Sequence, residues 1–592
     1  MPETVFCVKL LPTNKEILMK RLCIKIAGES GSGLLSVGEM IIKSLHDLGF
    51  YVVADREYPS VIKGEPACFL INASTKPIYS LYSKIDIMLA IDRQSLEAYF
   101  RDLNDGGILV YGYERTSGLK DLMAGLSKRK VKIVHQDART AAEKNGGNVL
   151  MSNMVLLGMF FKTLGLPYKI IKKEVEKKFF NKPHLLKIDL KCLEAGYKKV
   201  EISRHVELPK RKNKTVLLDG NKAIAIGAIR AGCRAYYAYP MSPSSSILTY
   251  MADFSAATGM LVKQVEDEIS VVNMTLGSMF MGTRALCSTS GGGYDLMTET
   301  VSLSGMIECP LVVVVAQRPG PATGLPTWTA QADLNMAVYS SHGEFPRIVV
   351  AASDPSDCFS LIQHAFNLAE KYQIPVIVLT EKNICESILS VDVAGEKKIP
   401  IERGLVIGKN LKNLKNTDRY KVTASGVSLR WLPGTSEAYY FANSDEHLED
   451  GSLTENAENV KVMYGKRMKK VGLIEKALPD AIIYGQKKGA KISFVGWGSS
   501  KKVMLDVIED FGRRGISVNY LHYSYLCPLK ISVVEKFFKE NKNVFLIEGN
   551  YQGQLGNMLE EKAGVKFKGR FLKYDGRPFF TDEVERFINK NI

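Results

Sequence analysis

The sequence has no long hydrophobic run and no recognisable leader. Its purely apolar runs, such as LVVVVA at 311–316, have the length of strands, whereas a membrane-spanning helix needs roughly 18 apolar residues. The first residues, MPETVFCVKLL, include an early acid and lack a small-residue cleavage site, unlike a signal peptide. We therefore expect a cytoplasmic protein that does not contact the membrane.

Closely spaced cysteines are also missing. The ten cysteines occur singly, and no two have CxxC spacing. We therefore expect this chain alone to build neither an iron–sulfur cluster nor a zinc site, and we predict no metal ligands in it.

What the sequence does contain is an ordinary globular composition with a basic excess. It has 592 residues, of which 46% are hydrophobic, and this length predicts several domains. The net charge of +16 favours acidic or phosphorylated partners. Nucleic acid is not expected, because the lysine clusters KKEVEKK, KRKNK and KRMKK contain no stacking pattern of aromatic residues.

Strand-length apolar runs alternate with helical spacing along the chain, which predicts an α/β fold of three doubly wound domains. In such sheets, ligands bind beyond the carboxyl ends of the strands. The predicted segments are a first domain at 1–207, a second at 208–400, a connector at 401–485 and a third domain at 486–592.

One glycine-rich turn, GESGSG at 28–33, lies between a predicted strand and a predicted helix. The amino end of a helix suits a phosphate group. The glycines are not in GxGxxG order, however, and Glu29 places a negative charge there. A nicotinamide dinucleotide is therefore not predicted, and a tight turn without a ligand is the alternative.

Three motifs of the second domain predict a ligand crevice. YPMSP at 239–243 forms a proline corner after a strand, and VEDE at 265–268 places three acids in the first turn of an apolar helix. STSGGG at 288–293 opens the following helix. Helix capping alone would also explain the acids, but together the three motifs could hold a heterocycle.

A long polar loop, beginning QRPGPATGLPT at 317–327, follows a buried strand. Loops of this length are usually functional or disordered, and the prolines, glycines and Trp328 favour order. Arg318, at the start of the loop, suits a carboxylate through two parallel hydrogen bonds.

In this order, the motifs resemble the alpha subunit of 2-oxoacid:ferredoxin oxidoreductases, especially the 2-oxoglutarate type. IAGESGSG and REYPSVIKGEP resemble the gamma domain of this family, fused ahead of alpha. The resemblance identifies 1–207 as the gamma domain and 208–400 as a thiamine-diphosphate pyrimidine-binding domain. It identifies 486–592 as a transketolase C-terminal-like domain.

The resemblance implies CoA-dependent oxidative decarboxylation of a 2-oxoacid with reduction of ferredoxin, or the reverse carboxylation. Thiamine diphosphate would be shared with a beta subunit that carries Mg²⁺ and a [4Fe-4S] cluster, in an assembly of two alpha and two beta subunits. The sequence lacks both the GDG diphosphate motif and the cysteines for a cluster. The chain is therefore expected to be inactive without its partner.

The resemblance also implies roles for individual residues. Glu268 would hydrogen-bond the aminopyrimidine ring of the cofactor and favour the tautomer that accepts a proton, and Pro240 would lie beside the cofactor. Ser242, at a position where relatives carry threonine, and Arg318 would bind the substrate carboxylate. Tyr239 and Thr323 would line the same site.

Two further residues are implied less specifically. Lys63, in REYPSVIKGEP, would reach the substrate or CoA, and an exposed lysine is the alternative. Asp445, in NSDEH, would touch the distal end of the substrate, and a surface acid is the alternative.

Other functions stay open on the sequence alone. A stand-alone transketolase-like enzyme would need its own diphosphate motif, and a non-enzymatic nucleotide-binding regulator would rest on GESGSG and the basic charge. The substrate is also open, because 2-oxoglutarate, pyruvate, and branched or aryl 2-oxoacids are all used across the superfamily.

Overall fold

The computed structural model describes residues 21–60, 64–113, 119–210, 214–393 and 398–592. The chain divides after Lys214 into two compact units, except that the short stretch beginning at Asp55 groups with the second unit. Within the described residues, no helix combines the length and the apolar character that crossing a membrane requires.

The first unit is an α/β sheet with helices. Its strands are β1 (Arg21–Glu29), β2 (Tyr51–Glu57), β3 (Pro66–Ser74), β4 (Ile85–Ala90), β5 (Leu103–Tyr111) and β6 (Lys132–His135). Its helices are α1 (Leu34–Asp47), α2 (Arg93–Tyr99), α3 (Lys120–Lys128), α4 (Ala138–Lys144), α5 (Ser152–Thr163), α6 (Tyr168–Phe179) and α7 (Pro183–Lys199).

The strand order in this unit is β6-β5-β4-β1-β3-β2. Strands β1, β4, β5 and β6 are parallel, as the alternation of strands and helices predicts. Strand β3 instead runs antiparallel to β1. The direct connection between β2 and β3, residues 58–65, is too short for the crossover helix that a parallel pair needs.

The second unit begins with strands and helices that follow one another closely. The strands are β7 (Val216–Leu218), β8 (Ala235–Ala238), β9 (Leu261–Gln264), β10 (Ala285–Thr289), β11 (Leu311–Gln317), β12 (Ile348–Ala351), β13 (Pro375–Glu381) and β14 (Ile388–Val391). The helices are α8 (Gly220–Arg230), α9 (Ser245–Thr258), α10 (Glu268–Phe280), α11 (Gly291–Met306), α12 (Leu334–Tyr339), α13 (Pro355–Tyr372) and α14 (Lys382–Glu386).

The C-terminal part contains the strands β15 (Ile482–Gly485), β16 (Ile492–Trp497), β17 (Val518–Tyr523), β18 (Tyr525–Cys527), β19 (Val544–Glu548) and β20 (Gly569–Leu572). Strand β18 joins the central sheet of the second unit, and the other five strands form a third sheet in the order β15-β17-β16-β19-β20. The helices are α15 (Ala457–Ala477), α16 (Ser500–Arg513), α17 (Ser532–Glu540), α18 (Gln554–Ala563) and α19 (Thr581–Asn591).

The central sheet of the second unit has the order β18-β12-β13-β11-β10-β8-β9. From β8 the chain passes to β9 on one side, and it then crosses to β10 on the other side. The carboxyl ends of β8 and β10 therefore flank a topological switch point, where ligands bind in doubly wound sheets. The buried apolar residues of β8, β10 and β11 form a continuous core beneath this edge.

The connector predicted at 401–485 is less irregular than expected, because it contains the 21-residue helix α15. Lys466 and Lys470 on this helix are fully buried and pair with Glu308. Burial raises the pKa of Glu308, but the two lysines outweigh it and hold that pKa below its usual range. Buried ion pairs therefore hold this helix in place. The helix was not predicted because its lysines suggested an exposed segment. The division into four segments stays a prediction.

Candidate active site

The side chain of Asn221, on α8, holds the proline corner after β8 in place. The Asn221 side-chain amide donates to the carbonyl of Pro243 (2.8 Å) and to the Ser246 hydroxyl (2.7 Å). Within the corner, the Ser244 hydroxyl donates to the carbonyl of Met241 (2.8 Å). The Ser242–Pro243 peptide is cis. The hydrogen bonds to the Met241 and Pro243 carbonyls restrain the chain on both sides of Ser242.

The corner also meets the turn that follows β10. The Ser290 hydroxyl lies 2.6 Å from the sulfur of Met241, and the Thr289 hydroxyl lies 3.8 Å from the same atom. Ser290 directly precedes α11. Met241 had no predicted role, because a thioether in a proline-rich stretch gives no sign that it will join two strand ends.

Arg318, the first residue after β11, reaches the corner. Its Nη1 donates to the main-chain carbonyl of Ser242 at 2.8 Å. Burial lowers the pKa of the half-buried guanidinium, and the nearby Asp333 carboxylate opposes that effect. The structure therefore brings Arg318 and Ser242 together, through the backbone of Ser242.

The three acids before α10 have three different environments, so the prediction that all lie in the first helical turn is wrong. Glu266 is exposed. Asp267 caps the helix, accepting from the Ser270 N–H at 2.7 Å, and hydrogen bonding from Ser270 lowers its pKa. Only Glu268 lies in the helix; it is 3% exposed, and its Oε1 has no hydrogen-bond partner among the described residues.

The Glu268 carboxyl group lies against the glycine turn of α11. A Cβ atom on Gly293 would be 2.6 Å from Glu268 Oε1 and 2.0 Å from Thr289 Oγ1. A side chain at position 293 would therefore displace the carboxyl group. The turn forms a cradle in which a buried carboxyl oxygen is available to a ligand.

Gly293→Ala should destabilise the purified chain by about 1–3 kcal/mol, because overpacking of a filled site costs that much. Gly292→Ala is the matched control, since a Cβ there would meet nothing within 4 Å. Alanine is also the better helix former, so the control should leave the melting temperature unchanged or higher. Equal melting temperatures for the two variants would contradict the close contact at Gly293.

The other predicted site residues are less constrained. Tyr239 and Pro240 are exposed in the corner, and Thr323 is exposed in the loop after β11. Asp445 is exposed and its main-chain N–H donates to the Asn443 side chain at 3.1 Å. Lys63 lies outside the described residues. Roles for these five residues stay predictions.

The loop after β11 is held in place by Gln331, which sequence reasoning missed. Gln331 Nε2 donates to Glu381 Oε1 (3.1 Å) and to the carbonyl of Trp497 (2.8 Å), and its Oε1 accepts from the Gly549 N–H (2.7 Å). The far end of the loop is therefore tied to the carboxyl ends of β13, β16 and β19. The predicted order of this loop is confirmed by these contacts.

Asp333, farther along the same loop, is a second residue that sequence reasoning missed. Its main-chain N–H donates to Gln317 Oε1 at 3.0 Å, directly before Arg318. Its Oδ2 is buried without a partner among the described residues. Burial and the nearby Asp295 raise the pKa of Asp333 to about 7, while Arg318 opposes this. Nothing in the sequence distinguishes this aspartate from a surface acid.

Comparisons with known proteins match both units. The family described as pyruvate flavodoxin/ferredoxin oxidoreductase, thiamine-diphosphate-binding, matches residues 226–465, which include the corner, Glu268 and Arg318. The family described as pyruvate ferredoxin/flavodoxin oxidoreductase matches residues 23–199. In the described part of the chain, no three His, Cys, Asp or Glu residues are grouped so that they could hold a metal ion.

Individual relatives extend over nearly the whole chain. The alpha subunit of 2-oxoacid:ferredoxin oxidoreductase from Saccharolobus solfataricus is 31% identical, over 96% of this chain and 97% of that protein. Alpha subunit 1 from Sulfurisphaera tokodaii is 30% identical, over 97% and 98%.

A solved structure shares the fold along its full length. It is the 2-oxoglutarate:ferredoxin oxidoreductase from Magnetococcus marinus with 2-oxoglutarate, coenzyme A and succinyl-CoA bound. It is 27% identical, with a TM-score of 0.88 over 97% of this chain and 99% of that chain. Together with the switch-point site, these similarities show that the chain belongs to the family of 2-oxoacid:ferredoxin oxidoreductase alpha subunits.

Proposed function

We propose that this chain is the gamma–alpha fused subunit of an enzyme that converts 2-oxoglutarate and CoA to succinyl-CoA and CO₂ while reducing ferredoxin. The reaction is reversible in principle, and the chain works only with a beta subunit. The Magnetococcus enzyme, which resembles this chain along its full length, has 2-oxoglutarate and CoA in its structure. Residues 1–207 serve as the gamma domain and 208–400 as the pyrimidine-binding domain.

The observation that carries the proposal is the Glu268 carboxyl group. It is buried at the start of α10, its Oε1 has no partner among the described residues, and it lies against the glycine turn of α11. Burying a carboxyl oxygen without a partner is costly. A ligand that hydrogen-bonds Oε1 would remove that cost, and a ring nitrogen of the thiamine diphosphate aminopyrimidine, which accepts a hydrogen bond, is such a partner when Oε1 holds a proton.

The residues present therefore fit the pyrimidine end of the cofactor. Thiamine diphosphate, when bound, supplies a carbon nucleophile for decarboxylation of 2-oxoacids. Glu268 would hold a proton at Oε1 and share it with the ring, and Gly293 leaves room for that contact. The exposed Pro240 and Tyr239 would border the cofactor and the substrate on the open side of the corner.

Arg318 and the corner would bind the carboxylate next to the reacting carbonyl. Nη1 of Arg318 is occupied by the Ser242 carbonyl, which orients the guanidinium plane. The remaining N–H groups are available for a planar carboxylate, an arrangement for which arginine is suited. The Ser242 hydroxyl adds one neutral hydrogen bond, and Thr323, Lys63 and Asp445 would contact more distant parts of the substrates.

The beta subunit would supply the rest of the site. The proposal assigns to it the diphosphate motif, Mg²⁺ and the [4Fe-4S] cluster from which ferredoxin receives electrons. Relatives that match this chain over nearly their full length are named as alpha subunits, which supports a partner of this kind. Two copies of each subunit form the proposed assembly.

Substrate choice can be tested on the alpha–beta complex with viologen as the electron acceptor. We expect kcat/KM for 2-oxoglutarate to exceed that for pyruvate by about tenfold or more. Pyruvate is shorter and cannot make some of the contacts that 2-oxoglutarate makes, and each missing contact costs roughly that factor. Turnover should require CoA. A preference for pyruvate would contradict the proposed substrate. A complex that is inactive with every 2-oxoacid tested would contradict the proposed function.

Ser242→Ala should reduce kcat/KM for 2-oxoglutarate only modestly, by about 0.5–1.5 kcal/mol for one neutral hydrogen bond, or roughly twofold to tenfold. The effect is small because Arg318 contacts the carbonyl of Ser242, which alanine retains. Ser242→Thr keeps the hydroxyl and should be tolerated. A loss above a hundredfold in Ser242→Ala would show that the hydroxyl does more than this account allows.

A further inference from the structure

Asp333 is a partly exposed acid with one buried carboxyl oxygen, and the proposed chemistry assigns it no role. Its Oδ2 has no partner among the described residues, and a Cβ atom on Gly291 would lie 2.7 Å from it. Its main-chain N–H is bonded to Gln317, the residue before Arg318. The Asp333 carboxyl group thus lies against the turn that opens α11, while its backbone bonds the residue before Arg318.

Two charged groups act on this carboxyl group. Asp295, exposed on α11, repels it, and Arg318 attracts it. The side chain that reaches this loop from α18 is the uncharged Gln554, which bonds Ala332 and Asn335. Among the described residues, the hydrogen bond that Arg318 makes at the corner goes to a neutral carbonyl. An ionised Asp333 therefore partly offsets the positive charge of Arg318.

We propose that Asp333 is a positioning residue that sets the charge Arg318 presents to the 2-oxoacid carboxylate, and that it binds a proton more tightly when the substrate is bound. This inference rests on the proposed function. An ionised Asp333 competes for Arg318 and repels the incoming carboxylate, whereas a protonated Asp333 does neither. The proton would be held at Oδ2, the buried oxygen without a partner.

The sign of the pH dependence follows from this arrangement. The pKa of Asp333 is raised to about 7, so the carboxyl group is neutral at pH 6 and ionised at pH 8.5. The Michaelis constant for the 2-oxoacid should therefore rise as the pH rises through 7. If the bound substrate shifts that pKa by about one unit, linkage predicts a rise of about tenfold.

The test measures the Michaelis constant for 2-oxoglutarate from pH 6 to pH 9 in the alpha–beta complex. We expect the wild type to show the rise. Asp333→Asn should remove the rise, so that its Michaelis constant at pH 9 falls about tenfold below that of the wild type. Asp295→Asn is the matched comparison, because it removes a charge that raises the pKa of Asp333. In this variant the Michaelis constant should still rise with pH, but the rise should begin at a lower pH than in the wild type.

A second measurement does not depend on turnover. A carboxyl pKa raised from 3.8 to about 7 in the folded chain means that stability falls as the pH rises between those values and is constant above them. Asp333→Asn has no carboxyl group at this position and cannot lose stability in this way. The melting temperature of Asp333→Asn minus that of the wild-type chain should therefore be larger at pH 8 than at pH 5. The same difference at both pH values would overturn the proposal.

The outcomes separate this inference from the proposed function. A complex that turns over 2-oxoglutarate, but whose Michaelis constant has the same pH profile in wild type and Asp333→Asn, overturns the role of Asp333 alone. A Michaelis constant raised equally at every pH in Asp333→Asn shows a purely structural role and also overturns it. A wild-type complex without 2-oxoacid turnover at any pH overturns both.

Discussion

Glu268→Gln is expected to lower kcat of the alpha–beta complex by about 10²–10⁴-fold, the usual contribution of a positioned acid–base group. The amide keeps the size of the carboxyl group, so the cradle formed with Gly293 stays filled. The amide, unlike the carboxyl group, cannot give a proton to the aminopyrimidine ring or take one from it. Steady-state turnover of 2-oxoglutarate at saturating CoA measures the effect.

Glu266→Gln is the control for this substitution. Glu266 lies two residues away, has the same side chain and is exposed, whereas Glu268 is buried. The control should stay close to wild type, and both variants should keep the wild-type melting temperature within a few degrees. A strong loss in Glu266→Gln with a normal Glu268→Gln would mean that the wrong acid has been assigned.

Arg318→Lys is expected to raise the Michaelis constant for 2-oxoglutarate by roughly 30-fold or more. Truncating one partner of a buried charge pair costs about 2–5 kcal/mol, and the lower end applies here because the guanidinium is only half-buried. A lysine ammonium group is a point charge that cannot bond the Ser242 carbonyl and also present a planar fork to the carboxylate.

A matched control is Arg570→Lys in the third sheet. Arg570 forms a 2.7 Å ion pair with Glu560 and lies on β20, outside the switch point of the central sheet. The control should leave the Michaelis constant unchanged. An equally unchanged constant in Arg318→Lys would remove this arginine from the substrate site.

Much of the fold was predictable because parallel strands that are buried on both faces have a strong local signal. The runs LVVVVAQ and PVIVLTE are β11 and β13, buried at every position. The reversed strand β3 was not predictable in this way, since strand direction depends on the connection rather than on the apolar pattern. The helix α15 was hidden because its buried side chains include lysines paired with Glu308.

The candidate site was predictable at positions where a residue type rarely occurs for structural reasons alone. An arginine directly after a buried strand and a proline corner after another strand both lie at the switch point, and they contact each other. Gln331 and Asp333 could not be predicted, because their roles come from contacts with β16, β19 and α11 that are distant in sequence. Burial, which distinguishes Glu268 from Glu266, is likewise a tertiary property.

The most direct test of the central claim is reconstitution from separate subunits. The measurement is CoA-dependent reduction of viologen by 2-oxoglutarate, with the purified chain alone, the cognate beta subunit alone, and the two mixed. Because this chain is proposed to supply only the pyrimidine end of the cofactor site and the carboxylate site, we predict activity in the mixture and none in either subunit alone. Sustained turnover by this chain alone, or an inactive mixture of folded subunits, would contradict the account.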